Sequence, residues 1–147
     1  MTQTTAQTST IKTTTIDARG PRFAALITTV VLVAALASHS IWVIALQLLV
    51  FAIGAFRGPQ FTPYSWIFRT FVRPRLKGEA PTEDIRPPQF AQSVGLIFAL
   101  VATAGLLAHI SLLFTIAAGA ALAAAFLNAA FNYCLGCEVY LLLLRLR

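Results

Sequence analysis

Apolar residues gather in four runs, Phe23 to Ala37, Ile41 to Phe56, Ala91 to Ala108 and Ile110 to about Phe131, while polar residues collect between the runs and at the chain ends. Runs of this length predict helices that cross a bilayer, whose hydrocarbon core takes about 20 residues with a usual range of roughly 17 to 25. The first two runs are short by that measure. They reach across by drawing on Ser38, His39 and Ser40 at the turn between them, or by thinning the bilayer locally. Before the first run, Met1 to about Ile16 is Thr-rich with no apolar periodicity, which predicts a disordered tail and a possible target for phosphorylation. The remaining residues, 17–147, read as a single membrane domain.

The apolar pattern repeats. Arg19-Gly20-Pro21-Arg22-Phe23-Ala24 recurs as Arg86-Pro87-Pro88-Gln89-Phe90-Ala91, matching at Arg, Pro, Phe and Ala, and each copy opens a pair of runs. Proline suits the first turn of a helix, where its missing amide hydrogen has no partner to lose. The sequence therefore predicts two similar helical hairpins, 19–56 and 91–133, joined by a connection over 57–90 and followed by a segment over 134–147. The repeat also bears on a rival reading of the first run. Arg19 and Arg22 followed by an apolar stretch ending Ala35-Leu36-Ala37 resemble a secretory signal peptide, but the second copy lies far from the N-terminus and cannot be one. The expectation is an uncleaved first hairpin.

Inside the connection, PYSWIFRTFVRPRLKG from Pro63 places Tyr64, Ile67, Phe68 and Phe71 on one helical face, with Arg69 and Arg73 opposite and Pro74 ending the helix. This predicts an amphipathic helix in the headgroup layer with its apolar face down. A docking site for a partner is the alternative use of the same face. In the last run Gly119 and Ala123, among alanines, predict close helix packing. Asn128 and Asn132 share a face near its end and are expected to bond across to a neighbouring helix.

Composition sharpens the picture. Apolar residues make up 58% of the 147 residues and charged ones only 11%, against about 25% charged in an ordinary soluble domain. The all-α class and the lipid bilayer as principal partner follow. Lys and Arg number 11 against 5 Asp and Glu, and the two tight turns hold no Lys or Arg at all. Under the positive-inside rule that distribution predicts four spans with both termini and the central connection in the cytoplasm. A nucleic-acid partner would need a solvated basic face, which segments tucked between apolar runs do not offer. No nucleotide-binding glycine loop, hydrolytic triad or paired catalytic carboxylates can be built from so few acidic residues, so no cofactor is called for. A solute transporter would require a homo-oligomer to enclose a path, and no charged residue marks one at mid-membrane.

The candidate chemistry is at the end of the last run, in FNYCLGCEVY, Phe131 to Tyr140. Cys134 and Cys137 are the only cysteines. Counting about 20 residues at 1.5 Å from Ile110 sets them at or just past the inner boundary, where thiols are kept reduced and a permanent structural disulfide is not expected. A closed metal site needs about four ligands, and His39 and His109 lie in the outer turns, so no metal is assigned. Two readings stay open: a reactive dithiol, or two small apolar side chains used for packing. Gly136 weakens the helix between them and Glu138 follows at once. Either the backbone bends there, or a new short helix begins near Cys137 and leaves Cys134 at a helix N-terminus, where a thiol pKa falls.

The segments RGPRFAA, GAFRGPQFTPYSWIFRTFVRPRL, RPPQFAQSVGLIFAL and AAFLNAAFNYCLGCEVY together resemble a bacterial integral-membrane family known only as a domain of unknown function, over Ile16 to the C-terminus. Its most specific piece is Phe-Asn-x-Cys-x-Gly-Cys-Glu-x-Tyr, which falls here on Asn132, Cys134, Gly136, Cys137, Glu138 and Tyr140. Members are often encoded near thioredoxin-like and rhodanese-type sulfurtransferase proteins. The resemblance thus implies a multi-pass protein of the bacterial inner membrane, with Cys134 and Cys137 as a redox or persulfide pair, Gly136, Glu138 and Asn132 supporting them, and a thioredoxin-like or sulfurtransferase partner.

Overall fold

A computed structural model describes residues 15–78 and 81–146. Nearly all of them are helical. After a short strand β1 (Thr15–Asp17) come α1 (Arg19–Ser38) and α2 (Ile41–Phe56), a 3-10 turn over Pro59–Phe61, and the short α3 (Pro63–Ile67), which runs on through a widened turn to Val72 and a 3-10 turn to Arg75. The strand β2 (Thr82–Asp84) then leads into α4 (Arg86–Leu107), α5 (Ser111–Phe131) and α6 (Leu135–Leu146). Three of these helices, α1, α4 and α5, are long and apolar enough to cross a membrane. At 16 residues α2 is shorter. The first helix gains its length from Arg19 to Arg22, residues that lie outside the apolar run.

The helices pack as a bundle in which α1 lies against α2 and α5, and α4 against α2, α5 and α6. Its core is Leu32, Ala35, Ile44, Ala102, Phe114, Ala117 and Ala118. Small residues set the spacing: a Cβ on Gly105 would stand 2.8 Å from the backbone nitrogen of Phe114, so only glycine lets α4 and α5 meet there. The expected close-packing pair in α5 is displaced. Nothing approaches Gly119 within 4 Å of where its Cβ would be, and Ala123 is exposed; the buried face is Ala117, Ala118 and Ala121. Counting four residues along a chain of alanines finds a smooth face but not which of several such faces is turned inward.

One polar tie crosses the interior. The Gln47 side chain, fully buried in α2, donates to the Thr28 hydroxyl at 3.5 Å and accepts from the Tyr64 hydroxyl at 2.8 Å. Tyr64 and Phe68 are accordingly turned into the bundle, against α1, whereas Phe71 and Trp66 are exposed and meet edge to face. This corrects the expected amphipathic helix, whose Tyr64–Phe68 face was assigned to lipid. An i, i+4 apolar pair looks the same whether a bilayer or a protein covers it, and the buried amide of Gln47 decides in favour of protein.

The two hairpins are related more deeply than the helical repeat alone indicates. Thr15-Ile16-Asp17 and Thr82-Glu83-Asp84 precede the two copies at matching positions, and they pair antiparallel with each other, Thr15 opposite Asp84 and Asp17 opposite Thr82. Thr15 and Ile16, expected at the end of a disordered tail, belong to this ribbon; the rest of that tail lies outside the described residues. In each copy the aspartate accepts the amide of the arginine two residues on, at 2.9 Å, and pairs with its guanidinium. These carboxylates serve the free amides at the starts of α1 and α4. The symmetry extends to the third helix of each half. Phe23 stacks on Phe68 of the α3 segment, centroids 5.7 Å apart and planes at 43°, and Phe90 stacks on Tyr140 of α6, 5.5 Å apart at 47°. Each half is therefore a strand, two apolar helices and a short helix folded back on the first.

Candidate functional site

The last long helix stops at Phe131 because Asn132 takes the left-handed conformation, φ 55°, and its amide and that of Tyr133 return to the carbonyls of Asn128 and Leu127. That is a helix-ending device for which asparagine is suited. Asn132 is exposed and terminates α5, a correction to the expected bond across to a neighbour. A second ending contact comes from Arg22, whose Nε donates to the Ala129 carbonyl at 3.0 Å and joins the start of α1 to the finish of α5.

Three residues later the chain turns helical again. Cys134 precedes the first turn of α6: its carbonyl accepts the Glu138 amide at 3.0 Å and its Sγ accepts the Cys137 amide at 3.2 Å. The sulfur thus occupies the place of a capping oxygen. Cys134 and Cys137 are joined as a disulfide, their Cα atoms 5.2 Å apart, and both are half-buried. Of the two alternatives open at the sequence level, the new helix is the one found, beginning at Leu135, two residues before Cys137. Gly136 has a different task from the expected bend. A Cβ there would lie 2.6 Å from the Ala91 Cα, so glycine allows α6 to settle directly on α4. Glu138 is exposed in the first turn, where a negative charge suits the helix dipole.

The other half of the molecule holds a counterpart that sequence reading missed. Thr62 caps α3 by accepting the Ser65 amide at 3.2 Å, and the two hydroxyls are bonded at 3.2 Å. Thr62-Pro63-Tyr64-Ser65, followed by Phe68, superposes in role on Cys134-Leu135-Gly136-Cys137, followed by Tyr140. The signal was present in the spacing, Thr and Ser three apart with an aromatic three residues later, but hydroxyl and thiol pairs do not look alike as letters.

Beside Cys134 a cavity of about 360 Å³ opens between the helices. Ala91, Val94 and Phe98 of α4 line it, together with alanines of α5 and Gly136 of α6. Gln92, Asn128 and Thr28 supply its polar atoms, and no charged side chain lines it. Cys134 is part of the wall and Cys137 is not. Among the described residues, no three of His, Cys, Asp and Glu gather to hold a metal ion.

A family model described as a domain of unknown function, DUF4395, matches residues 16–145, and the chain belongs to that family. No curated protein and no solved structure matches it.

Proposed function

We propose that this DUF4395 protein is a four-span protein of a bacterial inner membrane whose Cys134 and Cys137 cycle between dithiol and disulfide, or carry sulfur as a persulfide, in exchange with a cytoplasmic thioredoxin-like or sulfurtransferase partner. The observation that carries this reading is the position of the pair at the first turn of α6. A thiolate at Cys134 would receive the Cys137 amide and the positive end of the helix dipole, both of which lower a thiol pKa. In exchange, the thiolate attacks one sulfur of the partner's disulfide and releases the partner's other sulfur as thiolate; the second cysteine then attacks the mixed disulfide, forming Cys134–Cys137 and returning the partner as a dithiol.

The membrane placement draws on the same end of the bundle. Arg19, Arg22, Arg57, Arg69, Arg73, Arg75, Lys77 and Arg86 all belong to the end where α1 and α4 begin and α2 finishes, which suits the cytoplasmic face. Leu141 to Leu144 of α6 are all exposed on the protein surface, an arrangement suited to lipid rather than water.

Trapping free thiols with an alkylating reagent in intact cells tests the redox reading. The pair is expected to shift from alkylated to protected on oxidant challenge and back on recovery; a pair that stays in one state through the challenge overturns it. One observation favours a second reading, an accessory membrane subunit without chemistry of its own: Thr62 and Ser65 build the same cap with hydroxyls. A Cys134→Thr, Cys137→Ser double variant that supports wild-type function would establish that alternative.

A further inference from the structure

The cavity beside Cys134 lies where the second half of the molecule departs from the first, and its lining identifies the kind of ligand it takes. In the first half, Tyr64 packs on Ala24, Ile27 and Val31 of α1. The residues at the same repeat positions of α4 are Ala91, Val94 and Phe98, and all three line the cavity. At the place of Tyr64 itself the second half has Gly136. The backbone of α6 lies directly on α4 as a result, with Ala91 where a side chain at position 136 would begin, and the cavity opens beside this contact. A six-membered ring carrying an oxygen is what the bundle already accommodates: the Tyr64 hydroxyl is held by the amide of Gln47.

We propose that this cavity binds the ring of a membrane quinone, and that the quinone oxidises the Cys134–Cys137 dithiol. The inference rests on the dithiol reading above and runs its exchange in reverse: the partner's dithiol reduces the Cys134–Cys137 disulfide, becoming a disulfide itself, and the quinone is the electron acceptor that re-oxidises the pair. Three features select the ligand. The lining carries no charge, which excludes phosphate-bearing nucleotides and flavins and favours a neutral molecule that partitions into lipid. Gln92 and Asn128 line the cavity, and the NH2 of a side-chain amide is a donor to which a ring oxygen can accept. The volume of about 360 Å³ falls in the range of ligand sites, roughly 300 to 1,000 Å³, at the end suited to a ring with the start of its tail. An acyl chain would fill the space equally well but has no use for the amides or the sulfur.

The step balances. The Cys134 thiolate adds to a ring carbon of the quinone, forming a C–S bond. Cys137 then attacks the Cys134 sulfur, the S–S bond forms, and the C–S bond breaks with its electron pair passing to the ring. With two protons taken up, the products are a disulfide and a quinol; the dithiol is oxidised and the quinone reduced, two electrons each way. Quinones are competent acceptors for protein dithiols. Cys134, on the cavity wall, faces the quinone, and Cys137, outside it, is left for the aqueous partner.

The test uses the full chain, reduced and reconstituted in lipid nanodiscs without oxygen, with a short-chain ubiquinone analogue as one oxidant and a soluble disulfide as the other. Loss of quinone absorbance should match disulfide formation at Cys134 and Cys137 one for one. Ala124→Leu, which fills the cavity, should slow the quinone reaction by about tenfold, about 1.4 kcal/mol, and leave exchange with the soluble disulfide unchanged; Gln92→Leu should do the same. Reaction with the soluble disulfide but not the quinone, or quinone rates unaffected in both variants, overturns the quinone proposal and spares the dithiol. A pair inert to both oxidants overturns the dithiol reading and this inference with it.

Discussion

At the scale of single residues, the contrast between Tyr64 and Gly136 explains most of what distinguishes the two halves. A tyrosine at one repeat position ties α3 into the core through Gln47; a glycine at the other brings α6 against α4, beside a cavity with a sulfur on its wall. Gly136→Val should therefore force α6 away from Ala91, whose Cα stands only 2.6 Å from the position of the new Cβ. The expected cost is that of overpacking, about 1–3 kcal/mol, read as a lowered thermal midpoint in detergent together with faster alkylation of both cysteines after reduction. The cysteines themselves were plain in the sequence, being alone in the chain. Their role as a helix cap was not, because capping depends on where the preceding helix stops, and that is decided by Asn132 taking the left-handed conformation, which the equally apolar-flanked Asn128 four residues earlier does not take. Gln47 was passed over for a similar reason: a single amide inside an apolar run carries no pattern, and its importance appears only once Thr28 and Tyr64 are beside it.

At the scale of elements, the β-ribbon couples the starts of α1 and α4. Asp17 is held below the usual carboxylate range chiefly by the hydrogen bond from Arg19, with burial opposing, and Asp84 likewise by Arg86. Glu83, between them, is pushed the other way by burial. For the two aspartates the folded pKa lies below the unfolded one, so their contribution is complete above the unfolded value, about 3.9, and is lost as pH falls through the folded values. Glu83 contributes with the opposite sign, favouring the fold when protonated, and cannot supply a loss on acidification. Amide exchange at Ala18, which bonds to the Pro81 carbonyl, should thus stay slow from neutral pH to about 4 and accelerate below it once intrinsic exchange is divided out. Asp17→Asn should flatten that dependence; an unchanged profile in the variant would show that the aspartates do not hold the ribbon. The helical elements were legible from apolar run length and from proline at each start. The ribbon was not, since three-residue strands have no periodicity to detect and their pairing joins segments 67 positions apart.

At the scale of the whole molecule, the repeat and the charges make one statement about orientation. Both halves begin with the same Asp-x-Arg device on the same ribbon, so α1 and α4 start at one end of the bundle, and Arg22 bonded to the Ala129 carbonyl sets the finish of α5 at that end as well. His39 and His109, each in a left-handed conformation at a hairpin turn, mark the opposite end. In the four-span arrangement proposed above, two parallel copies of a hairpin would be related by an axis along the membrane normal, and the even number of crossings would put both termini on one side. The 16-residue α2 is the weak point of that scheme. At 1.5 Å per residue it spans about 24 Å, short of a core of about 30 Å, and it crosses only if the bilayer thins or the flanking Ser40 and Arg57 reach toward the headgroups. Reporter fusions after residue 78 and after Leu146 should both read cytoplasmic, and a cysteine placed at His39 or His109 should react with a membrane-impermeant thiol reagent from the outer side only. If the fusion after residue 78 reads periplasmic instead, α2 does not cross, the two hairpins cannot share an orientation, and the sulfur pair moves to the other face of the membrane, where a cytoplasmic partner could not reach it.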